Sequence, residues 1–394
     1  MLVLLELPLL VLFSALIPAV VVTAADSTPS CDCYETDADS VFTQHEFHDF
    51  RTITPVASAP PLPSVLPQEL DPTPDNYTTE PGIGNAQAGW IQSNDWTDYW
   101  ATMDWGKLPT GDFPIRMQNS LANVYISGSD VDTDATSKLV LRTHRFSNFQ
   151  SAAEVESLHK NLLYASIRIR ARVTGASGAV AGLFIYQNGQ NESDIEILTR
   201  DNNNEIRYSN QPVVDDQGNE ISGASTSVDM ATGTEIDGTN EPDKKIKRAR
   251  QKYGDVKWDD WHTHRIDWTE GKSSWYVDGE HYLDKEYGVP TVASYFVMNM
   301  WSDGGVWSGN MTVGDTAYME IEWVEMAFNT SGPDDLSARD LHKRADKPAC
   351  QTMCTIDGVQ VVGNPEIAAA ASVAVKYTML FGGVVLAMLG MGIL

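Results

Sequence analysis

Residues 181–210 read AGLFIYQNGQNESDIEILTRDNNNEIRYSN. Within them Glu192-Ser193-Asp194-Ile195-Glu196 sets three carboxylates at positions i, i+2 and i+4. On a strand successive side chains alternate faces, so the three acids share one face while Ser193 and Ile195 take the other. A helix competes, because Ser193-Asp-Ile-Glu196 has capping-box spacing. Length excludes it: after Ile197 and Leu198 the chain runs into Thr-Arg-Asp-Asn-Asn-Asn, too little for an amphipathic helix. The rest of the chain agrees with a strand. Period-two runs recur at Lys138-Leu-Val-Leu-Arg-Thr, Ser166-Ile-Arg-Ile-Arg-Ala-Arg-Val, Trp275-Tyr-Val-Asp and Tyr295-Phe-Val-Met-Asn-Met-Trp, each broken by Gly, Asn, Asp or Ser. Such spacing predicts an all-β antiparallel sandwich. No long helical periodicity and no fixed repeat lies between the two ends.

Three like charges on one sheet face are costly unless a site uses them. At about 3.3 Å per residue the Glu192 and Glu196 backbones are roughly 13 Å apart, and two inward-leaning side chains of about 4 Å reach bring the carboxyls to about 5 Å. Two carboxyls about 5–5.5 Å apart are what glycosyl transfer with retention requires. The spacing therefore suits that chemistry on a concave sheet.

Composition narrows the alternatives. The 394 residues carry a formal net charge of −27, which excludes nucleic acid as the partner because phosphate binding needs a basic stripe. With 42 % hydrophobic residues and 11 Trp, 14 Tyr and 11 Phe, the chain can bury a large core. Residues 57–82 are rich in Pro, Ser and Thr and read as an extended connection. Residues 213–243 are acidic and poor in large apolars, so a long loop is expected; the basic run Lys244–Arg250 after it reads as a solvated loop.

The ends are greasier than the middle. Residues 1–22 form an apolar run followed by Thr23-Ala24-Ala25 and a polar start, the order of a signal peptide over 1–25. Residues 377–394 carry no charge and run to the last residue, which suits either a glycosylphosphatidylinositol attachment signal, with Gly363-Asn364 as the small-residue candidate, or a single membrane span. Both place the product at the cell surface or outside the cell, held at a membrane. Cys31, Cys33, Cys350 and Cys354 allow three disulfide pairings, among which spacing does not choose. Sequons stand at Asn76, Asn191, Asn310 and Asn329. The expected organisation is 1–25 signal, 26–83 N-terminal strand and Pro-rich segment, 84–332 catalytic sandwich, 333–364 polar linker with a Cys pair and a dibasic Lys343-Arg344, and 365–394 anchor.

Glu192-Ser-Asp-Ile-Glu196 resembles the E-x-D-x-E signature of glycoside hydrolase family 16. Three segments resemble further family motifs in the same order: Trp261-His-Thr-His-Arg-Ile-Asp-Trp268, Trp275-Tyr-Val-Asp-Gly279 and Met298-Asn-Met-Trp301. The head Phe47-His-Asp-Phe-Arg51 resembles the fungal secreted branch. The resemblance implies a concanavalin-like jelly-roll β-sandwich with a concave substrate-binding sheet, acting on β-glucan. It implies Glu192 as nucleophile, Asp194 as its hydrogen-bonding neighbour, and Glu196 as acid/base with a pKa raised by the carboxylates beside it. Phe184, Tyr186, Tyr208, Asn210, Asn299 and Trp301 would line the subsites, aromatics stacking on sugar faces and amides reading hydroxyls. Trp268, Trp275 and Trp323 read instead as core. Gln190 stands where several members have Trp, and Ser193 where an aliphatic is usual, so Ser193 bears on packing rather than chemistry. No cofactor or catalytic metal is required, and a structural calcium is left open. An endo-hydrolase, a glucan transglycosylase and a lectin-like binding sandwich remain the three functional alternatives, and the oligomeric state is not encoded in these motifs.

Overall fold

The computed structural model describes residues 31–62, 77–78, 89–128, 136–236, 254, 256–332 and 350–368. The signal and anchor expectations, the basic run 244–250 and Lys343-Arg344 lie outside these residues, apart from 365–368 at the start of the anchor segment. Among the described residues no helix is long and apolar enough to cross a membrane.

Two curled, mainly antiparallel sheets share the strand Gln150–Ser157 and wrap one core. The first, which carries the acidic motif, runs in the order Ser225–Asp229, Glu205–Asn210, Asn191–Leu198, Val180–Asn188, Tyr295–Trp301, Gln150–Ser157, Trp100–Thr102. The second centres on the two longest strands, Leu162–Gly175 and Thr316–Thr330, with His262–Thr269 and Lys272–Val277 on one side. On the other side Thr316–Thr330 pairs in succession with Ser137–Arg145 and Gln44–Asp49. Each period-two run noted in the sequence lies on a strand, apart from Asp278, which turns just past Lys272–Val277, and 295–301 coincides with one from end to end.

Alternation builds the core. Leu183, Ile185, Ile195, Ile197, Phe296 and Met298 point inward from the first sheet and meet Ile167, Ile169, Ile266, Trp268 and Trp275 from the second. Trp268 and Trp275 are fully buried in this core, as expected, whereas Trp323 is buried outside it, against Phe47. The segment expected to be one long loop at 213–243 contains two short strands, Ser225–Asp229 and Thr234–Glu235, that extend the first sheet. Polar side chains hid them: in Ser225–Asp229 Val228 alone is apolar and buried, which leaves no alternation to read.

The two ends of the described chain meet. Cys33–Glu35 pairs in parallel with Met353–Thr355, flanked by Val41–Phe42 and Glu366–Ile367. The disulfides are Cys31–Cys354 and Cys33–Cys350, so residues 350–364 form a clasp with the N-terminal arm rather than the expected linker. This clasp sits on the outer face of the second sheet. There Arg168 and Arg265 are direct cross-strand neighbours, an arrangement of like charges that is unfavourable alone. Asp37 and Asp357 reach them from the clasp: Arg168 Nη2 donates to Asp357 at 2.8 Å and Arg265 Nη1 to Asp37 at 2.8 Å, while Asp267 accepts from Arg265 within the sheet. Phe42, Ile356 and Ala327 close an apolar contact beneath. Replacing all four cysteines by Ser is expected to lower stability by roughly 2–5 kcal/mol, read as a fall in Tm by calorimetry, because both bridges close nearly the same very long loop and only the loss of both returns its freedom to the unfolded chain.

Candidate active site

Register decides what faces the concave side. Asp194 stands opposite Phe184, Glu192 opposite Tyr186 and Glu196 opposite Gly182. Across the next interface Phe184 meets Val297, Tyr186 meets Tyr295 and Gly182 meets Asn299, with Asn299 opposite Glu154 beyond. The structure therefore brings Glu192, Asp194, Glu196, Phe184, Tyr186, Asn299 and Trp301 onto one face. Tyr186 packs edge-on between Phe184 and Tyr295, giving an aromatic wall beside Glu192.

Tyr208 and Asn210 do not join them. Glu196 pairs with Arg207 and Asp194 with Ser209, so the odd-numbered residues of Glu205–Asn210 face the cleft and the even ones face the core. Tyr208 is fully buried and stacks on Trp275 at 5.3 Å. Asn210 accepts a hydrogen bond from Ser193 Oγ at 2.6 Å and donates to the Tyr287 carbonyl at 2.8 Å. Ser193, the departure from the family pattern, thus has its explanation beneath the strand: its hydroxyl satisfies Asn210 and touches Ser273 Oγ at 3.0 Å.

Burial governs the electrostatics. Desolvation pushes the Glu192 carboxyl up to about 7, reinforced by the Glu196 charge and opposed by a hydrogen bond with Asp194. Asp194 is held well above the usual carboxylate range by burial and by both glutamates. No well-formed N–H or O–H bond reaches either Asp194 oxygen, and Glu192 and Gln211 are the side chains that approach it. Burial and their mutual charge disfavour two ionised carboxylates here, so Glu192 and Asp194 titrate as a pair. Glu196 is also raised, but by burial. The hydrogen bond from Trp307 and the Arg207 charge oppose the shift.

Several residues escaped the sequence reading. Trp307 Nε1 donates to Glu196 Oε1 at 2.9 Å from the loop after Tyr295–Trp301. Arg207, held by Asp201 at 2.7 Å, lies over the Trp307 ring at 5.0 Å. Glu154 is buried and accepts from Trp105 Nε1 at 2.7 Å and Asn299 Nδ2 at 3.3 Å; burial and the Glu156 charge raise it to about 7. Asn299 Oδ1 is buried without a donor and packs over Gly182, where a Cβ would come within 2.6 Å of it. Alternation could have shown that Glu154 and Glu156 share a face; nothing local could have shown that this face is the acidic one.

Among the described residues no cluster of three or more His, Cys, Asp or Glu is arranged to hold a metal ion. At the rim, the Asn191 amide is engaged at both ends, Nδ2 donating to Asn188 Oδ1 at 3.2 Å and Oδ1 accepting from Thr291 N at 3.1 Å. A peptide map of the glycosylated protein is therefore expected to show Asn191 unmodified; full occupancy there would contradict this hairpin geometry.

Similar solved structures include a β-glucanase of Bacillus licheniformis, 20 % identical with a TM-score of 0.41 over 59 % of this chain and 92 % of that one. Others are an endo-β-1,3-glucanase of Pyrococcus furiosus (14 %, TM-score 0.42, 76 % and 99 % covered) and the laminarinase catalytic domain of Thermotoga maritima (16 %, 0.40, 59 % and 92 %). No curated protein matches. The assignment rests instead on the family model described as "Glycosyl hydrolases family 16", which matches residues 118–325 and spans the acidic motif, the strand paired with it and Trp307. The chain belongs to glycosyl hydrolase family 16.

Proposed function

We propose that the protein is a retaining glycosidase acting on β-glucan by double displacement. The observation that carries this reading is the row of Glu192, Asp194 and Glu196 on one concave face with an aromatic wall and a buried, donor-free Asn299 Oδ1 beside it. Ionised Glu192 attacks the anomeric carbon while Glu196 gives its proton to the departing glycosidic oxygen. Glu196 then takes a proton from an incoming hydroxyl, which displaces Glu192 and restores the starting state. Asp194 keeps its proton and donates it as a hydrogen bond to Glu192, spreading the charge of the leaving carboxylate in the second step. Burial supports Glu196 as the acid, since a carboxyl that starts protonated is what the first step consumes.

The incoming hydroxyl belongs to water in a hydrolase and to another glucan in a transglycosylase, and both use the same three carboxylates. A binding sandwich without turnover has no use for a buried proton-sharing pair, which disfavours the lectin-like alternative. The apolar N-terminus and uncharged C-terminus support secretion and retention at the cell surface by a lipid anchor or a single span.

Incubating the full-length protein with β-1,3-, mixed-linkage and β-1,6-glucans, xyloglucan and chitin, plus a labelled acceptor, tests the reading. Cleavage of a β-glucan with the first product as the β-anomer by NMR is expected; an α-anomer would reject the retaining mechanism. Glu192→Gln should lower kcat by at least about 10³-fold, and Glu196→Ala should be partly rescued by azide on a substrate with a good leaving group.

The pH dependence of stability has a fixed sign. Glu192 is raised from 4.5 to about 7 in the folded protein, so the folded state holds the extra proton and stability falls as pH rises between those values. Glu192→Gln is therefore expected to raise Tm at pH 7 and to leave it unchanged near pH 4. An equal change at both pH values would mean that the effect is packing rather than charge.

A further inference from the structure

The proposed acid/base has a single hydrogen-bond donor among the described residues, and it comes from a loop with no counterpart in the acidic motif. Trp307 Nε1 donates to Glu196 Oε1 at 2.9 Å. The loop that presents it is rigid. Ser308 Oγ donates to Asp303 Oδ1 at 2.9 Å, Gly305 N to the same oxygen at 2.9 Å, and Gly309 N to the Gly305 carbonyl at 2.9 Å. A Cβ on Gly305 would lie 2.7 Å from the Asp112 carbonyl, so the backbone fits only as glycine. Arg200 holds the Val306 carbonyl, and the Trp307 ring is fixed by the Arg207 guanidinium over it. An indole carried by a hydrogen-bonded loop under a guanidinium is a directional donor.

We propose that Trp307 is a positioning residue for Glu196, holding Oε1 so that the other oxygen carries the transferable proton toward the glycosidic oxygen. This rests on the role given to Glu196 above. The hydrogen bond favours the ionised carboxylate, which helps Glu196 accept its proton back in the second step, while burial favours the protonated form needed in the first. The indole therefore balances the two demands on one group. Other charges facing Glu196 are Arg207, with its partners Asp201 and Glu205, on the adjoining strand and turn, and Asp194 and Glu192 on its own strand. On the opposite side the Val180–Asn188 strand presents uncharged Gly182, and Glu154 stands beyond Asn299. Asp303 in the loop is turned to its own backbone and to Lys107.

Trp307→Phe keeps a ring under Arg207 and removes only the donor. The basic limb of the kcat/KM profile, which reports loss of the protonated acid, is expected to move up by about one pH unit, because the ionised form loses a charge-assisted bond. At the wild-type optimum kcat should fall about tenfold on polysaccharide, with KM little changed. A dinitrophenyl glycoside, whose leaving group needs no proton, should recover most of the loss in the first step. A rise in KM with the limb unmoved would make Trp307 a sugar-stacking residue and overturn the proposal. A second measurement does not depend on turnover: with ¹⁵N-Trp labelling, the Trp307 indole N–H resonance should follow a carboxyl titration that disappears in Glu196→Gln. An indole resonance indifferent to pH would also overturn it. Absence of glycosidase activity in the wild type would instead sink the proposed function, leaving the hydrogen bond to be judged by the resonance alone.

Discussion

A strand that carries three carboxylates on one face and Ser193, Ile195 and Ile197 on the other can occupy only one kind of place. Its apolar face needs a second sheet to cover it, and its acidic face needs to stay in reach of water or ligand. The Asn191–Leu198 strand meets both needs at the centre of the first sheet, flanked on both sides by hydrogen-bonded neighbours. Central placement holds the acids at fixed spacing along one rigid backbone. It also buries them enough that their protonation is set by the protein rather than by bulk water.

That burial is a stability cost accepted at the site. Glu192, Asp194 and Glu154 would each be more easily accommodated as neutral amides, and the surroundings offset the cost only in part: a shared proton for Glu192 and Asp194, an indole and an amide for Glu154. On the other side of the molecule a buried charge is met by ion pairs instead. Arg265 is encircled by Asp267, Asp37 and Asp357 on the opposite outer face. The contrast between satisfied ion pairs on one face and strained carboxyls on the other marks where chemistry, rather than folding, dictated the residues.

Most of the architecture was legible because alternation and turn residues are local signals. The acidic motif was legible for the same reason, and Phe184 and Tyr186 share its face because a tight hairpin at Gly189-Gln190 joins their strand to it. Parity across the next hairpin was not legible. The turn from Thr199 to Asn204 sets Glu196 against Arg207, so a residue's number says nothing about its face until the turn geometry is known, and Tyr208 and Asn210 fell on the core side. Trp307 and Glu154 were invisible for a stronger reason: each reaches the site through pairing or a loop distant in sequence, with no pattern of its own. The clasp was half legible, four cysteines being countable while their pairing depended on two strands too short to be seen.

The clasp also determines how the molecule responds to being pulled or cut. Both disulfides join residues before 34 to residues after 349. Tension applied to the chain beyond residue 368 is passed through Met353–Thr355 and the disulfides to the N-terminal arm, and bypasses the strand that carries the three acids. Scission anywhere between residues 333 and 349 likewise leaves one covalent molecule of two polypeptides. Separation of the tail then requires a reductant as well as a protease, so the redox state of the surroundings, and not the peptide backbone alone, decides whether sandwich and tail part company.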